Sequence, residues 1–407
     1  MFIRKVFDFV SVAFIGQLIY FSPGFYGYVA NPYAPGVLPS IPLVDQVYTV
    51  WQLCLGSTLL TGLLYRPKPA PIPALRTTLP FDLTAIALIA ASFGYLLFFT
   101  GEELLSSDKN EVLGNIDRVF LLFASVCQIA MICFLVQAKW LRSLVPALGL
   151  AYLLYAGFRA EFAISLIAVA AYIARREGIF VFLRFRYLMP GLAAAALLVA
   201  YKPFLTAYRL GNWQVLDSLQ MSDNFFETMI LQFEPFLSQA VLNEVLSRNF
   251  QVAPGSLFDA LVASVPFLAP LLGLRPEDAA FNHQDFLFPN IAYGITGTPQ
   301  SQFFAAMGWV GLLIFLIAKN FFLVLASRGL ASSKPAIQLF CLAFGAFLAF
   351  YIQRNDLANA LTLINRMLIA VFVCWLGAWI LTAGKRPEPR QVDEPDDAPT
   401  RTDVVPS

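Results

Sequence analysis

Residues Ala151 to Gly178, "AYLLYAGFRAEFAISLIAVAAYIARREG", decide what kind of protein this is. The stretch is apolar enough to cross a membrane, yet Arg159 and Glu161 interrupt it near its middle. A charged side chain at the centre of a bilayer costs on the order of 3 kcal/mol on insertion scales, so such residues are rare and usually tied to a pathway or a site. Whether these two charges lie in the membrane or at its surface depends on the rest of the chain.

The composition sets the class. Of 407 residues, 58% are hydrophobic and 13% charged, against roughly 25% charged in an ordinary soluble domain. Apolar runs of about 20 residues, long enough as helices to cross a hydrocarbon core of about 30 Å, recur from end to end. Strand-type alternation is absent, and a lipid-exposed helix satisfies its own backbone groups. The expected fold is therefore all-α, a polytopic membrane bundle. Cys54, Cys127, Cys133, Cys341 and Cys374 fall inside apolar runs without CxxC spacing and read as buried fillers. The single histidine, His283, excludes a multi-histidine metal site. No small-residue cleavage motif follows the first apolar run before the Pro23 to Pro42 loop, so no cleavable signal peptide is expected.

Ten helices are predicted, at about 6–21, 46–65, 81–100, 116–137, 143–157, 159–174, 187–205, 301–325, 336–353 and 357–381. Ten crossings with both termini in the cytoplasm put Arg4, Lys5, Arg66, Lys68, Arg76, Lys139, Arg142, Arg175, Arg176, Arg184, Arg186, Arg328, Lys334, Lys385 and Arg386 on one side. That arrangement obeys the positive-inside rule at every loop. The chain then divides into helices 1 to 7 (1–205), a long outer loop (206–300), helices 8 to 10 (301–384) and a polar, proline-rich cytoplasmic tail (385–407) expected to be disordered. Amphipathic runs in the long loop, "FFETMILQFEPFLSQAVLNEVL" and "SLFDALVASVPFLAPLLG", predict short helices lying at the outer membrane surface, packed over the helical bundle.

In this topology the fifth and sixth helices form a hairpin whose turn at Gly157 carries Arg159 and Glu161 to the outer face. Residues two apart on a helix point about 200° apart, so the pair is poorly placed to bridge with itself and each is expected to have another partner. Lys109, Lys202, Arg209, Arg248, Arg275, Arg354 and Arg366 also fall on the outer side, so arginine dominates there. Its planar fork grips phosphate bidentately, and a helix N-terminus favours anions, which points to an anionic head group. Ordinary ion pairing with Glu161, Glu227, Glu234 or Asp356 is the competing explanation.

The arginine-plus-acid start of "GFRAEFAISLIAV", the outer loop with "FEPF" and "VPFLAPLLG", and "GITGTPQSQFFAAMGWVGLLIFLIAKN" leading into a helix together resemble the Wzy-type repeat-unit polymerases of O-antigen and exopolysaccharide synthesis in bacteria. The similarity covers residues 151 to about 369. It implies a GT-C-like glycosyltransferase of the bacterial inner membrane, acting at its outer face on undecaprenyl-pyrophosphate-linked glycans as donor and acceptor, with a chain-length regulator as a possible partner and without metal or cofactor. The departing pyrophosphate would need cations around it, a role that falls to Arg159, Arg209, Arg366 and Arg248. The acceptor hydroxyl would need a base: His283 in "FNHQDF" first, then Glu161, then Glu234.

Smaller expectations follow. Gly294, Gly297 and Pro299 would let the backbone approach a sugar, Gly308 and Gly311 would permit tight helix packing, and Tyr208, Trp213, Tyr293 and Trp309 are membrane-interface anchors or sugar platforms. No phosphate loop and no basic, aromatic-interleaved surface for nucleic acid is present. A ligase that passes finished glycan to another acceptor is the near alternative. A secondary transporter is the distant one, since no internal repeat is visible and the charges gather at one face.

Overall fold

A computed structural model describes residues 7–33, 38–65, 72–101, 118–185, 187–189, 191–193, 231, 233–265, 268–273, 281, 283–291 and 297–383. It is an all-helical bundle apart from one short antiparallel ribbon, β1 (Tyr28–Val29) with β2 (Ile41–Pro42). The bundle begins with α1 (Phe9–Tyr20) and the single turn α2 (Pro23–Tyr26), followed by α3 (Asp45–Leu64), α4 (Leu79–Thr100), α5 (Arg118–Val136), α6 (Trp140–Tyr155) and α7 (Ala160–Glu177). Among the described residues, four short helices follow: α8 (Glu234–Ser247), α9 (Gly255–Ser264), α10 (Leu268–Leu271) and α11 (His283–Leu287). The chain then returns to the bundle with α12 (Pro299–Gly329), α13 (Pro335–Ala349) and α14 (Leu357–Ala383).

Six helical stretches among the described residues are long and apolar enough to cross a membrane, the run Phe9–Tyr26 through α1 and α2, and α3, α4, α5, α12 and α14; α6 and α13 are shorter apolar helices. Their outward faces carry Leu60, Leu64, Phe98, Ile317, Phe321, Phe372 and Trp379 in the open, an apolar surface on a scale that water does not tolerate and lipid does. The protein is therefore a membrane protein. Nine of the ten predicted helices coincide with observed ones to within a few residues. The remaining one, at 187–205, falls almost wholly outside the described residues, as do much of 206–300 and the tail.

Local chemistry sets the helix starts. Asp8 caps α1 by accepting from the Ser11 amide at 3.1 Å, and Thr298 with Ser301 forms a reciprocal capping box before Pro299 at the start of α12. In the packing, α5 is central: it buries twelve of its nineteen residues against α4, α6, α7, α13 and α14.

Two expectations are refined here. The helix α8, expected at the outer membrane surface and packed over the bundle, buries eleven of its fourteen residues, deeper than a surface helix, and is lodged against α1, α3 and α12. Its polar residues explain the difference: Gln239 accepts from Trp51 Nε1 at 2.9 Å, and Asn243 Oδ1 accepts from the Val44 amide at 3.0 Å. They face neighbouring helices and not water. Gly308, read as a packing glycine, instead supplies a kink in α12 with φ +60° and ψ −142°, and a Cβ there would touch nothing. Gly311 is the tight one, since a Cβ would run into the Phe303 carbonyl across that kink.

The two ends of the bundle differ. At one, Asp82 receives Lys139 at 2.6 Å, Arg142, and the Thr77 hydroxyl at 2.7 Å. Arg175 and Arg328 lie at the same end, beside Asp8 and Tyr65. The other end, where α1 and α6 finish and α3, α7, α12 and α14 begin, holds the candidate site.

Candidate functional site at the Arg159 end of the bundle

The hairpin inferred from "GFRAEF" is present. Gly157 turns the chain at φ +92°, and Arg159 immediately precedes α7 with Glu161 in its first turn. As expected, the two do not bridge to each other. Arg159 pairs with Glu234 at 3.0 Å, and Glu161 accepts from Arg366 at 3.1 Å. Glu161 is itself the anion at this helix N-terminus, a position that favours negative charge.

Glu234 is the hub. Its second oxygen receives Arg354 Nε at 2.6 Å and the Tyr20 hydroxyl at 3.3 Å. Arg354 lies over the Tyr351 ring at 5.1 Å from the centroid. Burial first, with Arg354 opposing, pushes the Tyr351 hydroxyl up to about 12, and Glu234, Arg159 and Glu161 also lie within its electrostatic reach. Tyr351 thus lies within electrostatic reach of both sets of ion pairs. Burial acts against charge on Arg354, but Glu234, Tyr351 and Tyr20 outweigh it and hold the guanidinium firmly protonated.

Three guanidiniums facing two carboxylates leave one net positive charge in this network. Arg354 Nη1 and Glu161 Oε2 are buried with no hydrogen-bond partner among the described residues, as are both amide atoms of Gln128 on α5. A buried polar group without a partner costs roughly 1–3 kcal/mol; Arg366 Nε, by contrast, also donates to Ser125 Oγ at 3.4 Å. A shell of glutamines surrounds these pairs: Gln300 Nε2 donates to Gln353 Oε1 at 2.6 Å, and Gln302 Oε1 accepts from the Leu357 amide at 2.6 Å.

His283, expected on an open loop, is 4% exposed. Its Nδ1 lies 2.7 Å from the Phe281 carbonyl oxygen. A carbonyl only accepts, so in the neutral ring Nδ1 carries the proton and Nε2 is the basic nitrogen. The ring stacks on Phe281 with centroids 4.7 Å apart, and it lies close enough to Asp356 to favour that carboxylate's charge. Asp356 in turn accepts from the Asn359 amide at 2.8 Å at the start of α14, two residues after Arg354. Burial nevertheless leaves the Asp356 carboxyl above its ordinary range.

The other sequence candidates separate. Arg248 pairs with Glu244 at 2.7 Å within α8, half exposed, at the opposite end of that helix from Glu234, so it does not join the arginine network. Arg209, Gly294, Tyr208, Trp213 and Tyr293 lie outside the described residues. Gly297 is close-packed, but against the Phe281 and His283 rings, 2.9 and 3.2 Å from where a Cβ would stand; its neighbour is the protein, not a sugar. Trp309 packs edge-on to Phe304.

Sequence reasoning counted Arg354 among the outer cations but gave it no role, and it passed over Lys319. The signal for Arg354 was "YIQRND", residues 351–356, a charged break between apolar runs like "GFRAEF". Lys319, 2% exposed within α12, donates to Thr58 Oγ1 at 3.4 Å. Gln17 completes its surroundings when its amide oxygen faces Lys319 and its nitrogen faces Thr58 at 3.1 Å.

Fold and site together define a helical membrane protein with partly buried arginine–glutamate pairs at one end. Compared with known proteins, the chain matches no protein-family model, no curated protein and no solved structure.

Proposed function

We propose that this chain is a membrane glycosyltransferase that polymerises undecaprenyl-pyrophosphate-linked repeat units into O-antigen or exopolysaccharide. In this reading it crosses the bacterial cytoplasmic membrane about ten times, both termini are cytoplasmic, and the Arg159 end faces outward. The observation that carries the reading is the net-positive set of Arg159, Arg354 and Arg366, anchored by Glu234 and Glu161, with His283 in electrostatic reach of Asp356, two residues from Arg354. Preorganised cations of this kind stabilise a leaving diphosphate, typically by several kcal/mol. In the step, an acceptor hydroxyl attacks the anomeric carbon of the donor glycan and His283 Nε2 takes its proton. The bond from that carbon to the pyrophosphate oxygen breaks, and the electron pair leaves with the lipid diphosphate, held by the arginines. Glu161, already bound to Arg366, positions that arginine and is the weaker candidate for a base.

Purified protein supplied with lipid-linked repeat units is expected to give a ladder of glycan lengths. Single transfers to a different acceptor would point to a ligase, and no glycan product would overturn both. One observation favours a second reading, transport: Lys319 sits within the membrane-spanning bundle among Gln17, Thr58 and Asn320, where ionisable residues often line substrate or ion pathways. Loss of counterflow in proteoliposomes on Lys319→Met, with glycan synthesis absent from the wild type, would favour it.

A further inference from the structure

Beyond α8, Phe250, Phe281 and Phe286 surround a cleft of about 300 Å³ that Gln251 and Ser256 also line. The rings stand around it at angles, Phe250 to Phe286 at 5.9 Å and Phe250 to Phe281 at 6.3 Å between centroids. Phe286 is 70% exposed at the rim. The Ser256 hydroxyl, by contrast, is buried without a hydrogen-bond partner among the described residues. Phe281, which forms one wall, carries His283 stacked on it at 4.7 Å.

We propose that this cleft binds one sugar ring of the acceptor glycan, a subsite that rests on the glycan-transfer reading above. A pyranose presents an apolar face of C–H groups and an equatorial rim of hydroxyls, so it stacks on aromatic faces while asking for a few polar partners at its edge. The cleft offers that combination: phenyl rings for the face, and the exposed, polar Gln251 at the rim. An acyl chain would fill the same volume but would give Gln251 at the rim no polar partner. The volume lies at the low end of ligand sites, about 300–1,000 Å³, and suits one ring better than a chain. Position agrees with chemistry. Glu234 and its arginines stand at the start of α8 and the cleft lies past its end, so the two are about 20 Å apart at 1.5 Å per residue. His283 lies between them in its contacts, touching Phe281 of the cleft and influencing Asp356 beside the network. A sugar in the cleft would therefore hold the acceptor on the histidine side, away from the diphosphate.

The test uses the full chain in nanodiscs with Phe286→Trp as reporter. Free oligosaccharide released by mild acid from the host's lipid-linked pool should change the Trp emission saturably, and adding Gln251→Ala should weaken that response about tenfold. Lipid with a doxyl quencher near the chain end should leave the emission unchanged. Quenching by that lipid with no response to the oligosaccharide overturns the proposal in favour of a lipid seat. In the polymerisation assay, Phe286→Ala should raise the acceptor KM about tenfold, the size of one aromatic contact, with kcat little changed. An unchanged KM beside an active wild type overturns the cleft and spares the transferase reading. A saturable sugar response in a protein that makes no product does the reverse.

Discussion

Glu234 touches two guanidiniums and a phenol at once, and this redundancy sets what single substitutions should do. In Arg159→Ala it keeps Arg354 and Tyr20, so stability should stay within about 1 kcal/mol of wild type. In the proposed reading, glycan synthesis should nevertheless fall by about 10² or more, because that reading assigns Arg159 to the leaving diphosphate. Wild-type product lengths from that variant would remove Arg159 from the site. Arg366→Ala differs, since Glu161 is buried with Arg366 as its cation. Breaking a buried pair from one side costs about 3–5 kcal/mol, so thermal unfolding in detergent should show a large loss, and pairing the change with Glu161→Gln should recover much of it. The pH dependence tests the base. Asp356 favours the protonated form of the nearby imidazole when it is itself charged, so Asp356→Asn should shift the acidic limb of the activity profile to lower pH. A profile unmoved by Asp356→Asn, or normal chain lengths from His283→Ala, would transfer the role to a carboxylate.

Individual helices carry their own consequences. Asp8 caps α1, yet burial, opposed by its Ser11 bonds and by Arg175, holds its carboxyl above the usual range. The folded state then keeps the proton more tightly than the unfolded chain. Stability is accordingly greatest below the unfolded pKa and falls as pH rises through that value to the folded one. Asp8→Asn keeps an acceptor for the Ser11 amide and removes the ionisation, so the melting temperature at pH 7 should not drop. Asp8→Ala should lower stability by about 1 kcal/mol through the lost cap. In α12, Gly308 adopts a backbone conformation that side chains resist, and Gly308→Ala should cost about 1–3 kcal/mol. The kink itself was not legible in "GWVG", because glycines that permit packing and glycines that permit a turn look alike in sequence. The burial of α8 was equally hidden, since glutamine and asparagine that bond to neighbouring helices read as a wet face.

Across the whole molecule, charge is sorted by end: Lys139, Arg142, Arg175 and Arg328 gather at one, and Arg159, Arg354 and Arg366 at the other. If the Arg159 end faces outward, a single cysteine at the half-exposed position Arg248 should react with a membrane-impermeant maleimide in intact spheroplasts. A cysteine at Arg142 should react only after permeabilisation, and the opposite pattern would place the site in the cytosol, where the proposed lipid-linked substrate is not presented. The sequence by itself determined the class, most of the helices and the hairpin at Gly157, because hydropathy over about 20 residues and a charged break between apolar runs are local properties of the chain. Helix periodicity also required that Arg159 and Glu161 look elsewhere for partners. Which partners they found, Glu234 from a short helix far along the chain and Arg366 from the last one, only the tertiary structure decided. So too did the burial of His283 against Phe281 and the seat of Lys319 between α1 and α3. Contacts between distant segments depend on how helices pack and rotate against one another, and no window of sequence contains that information.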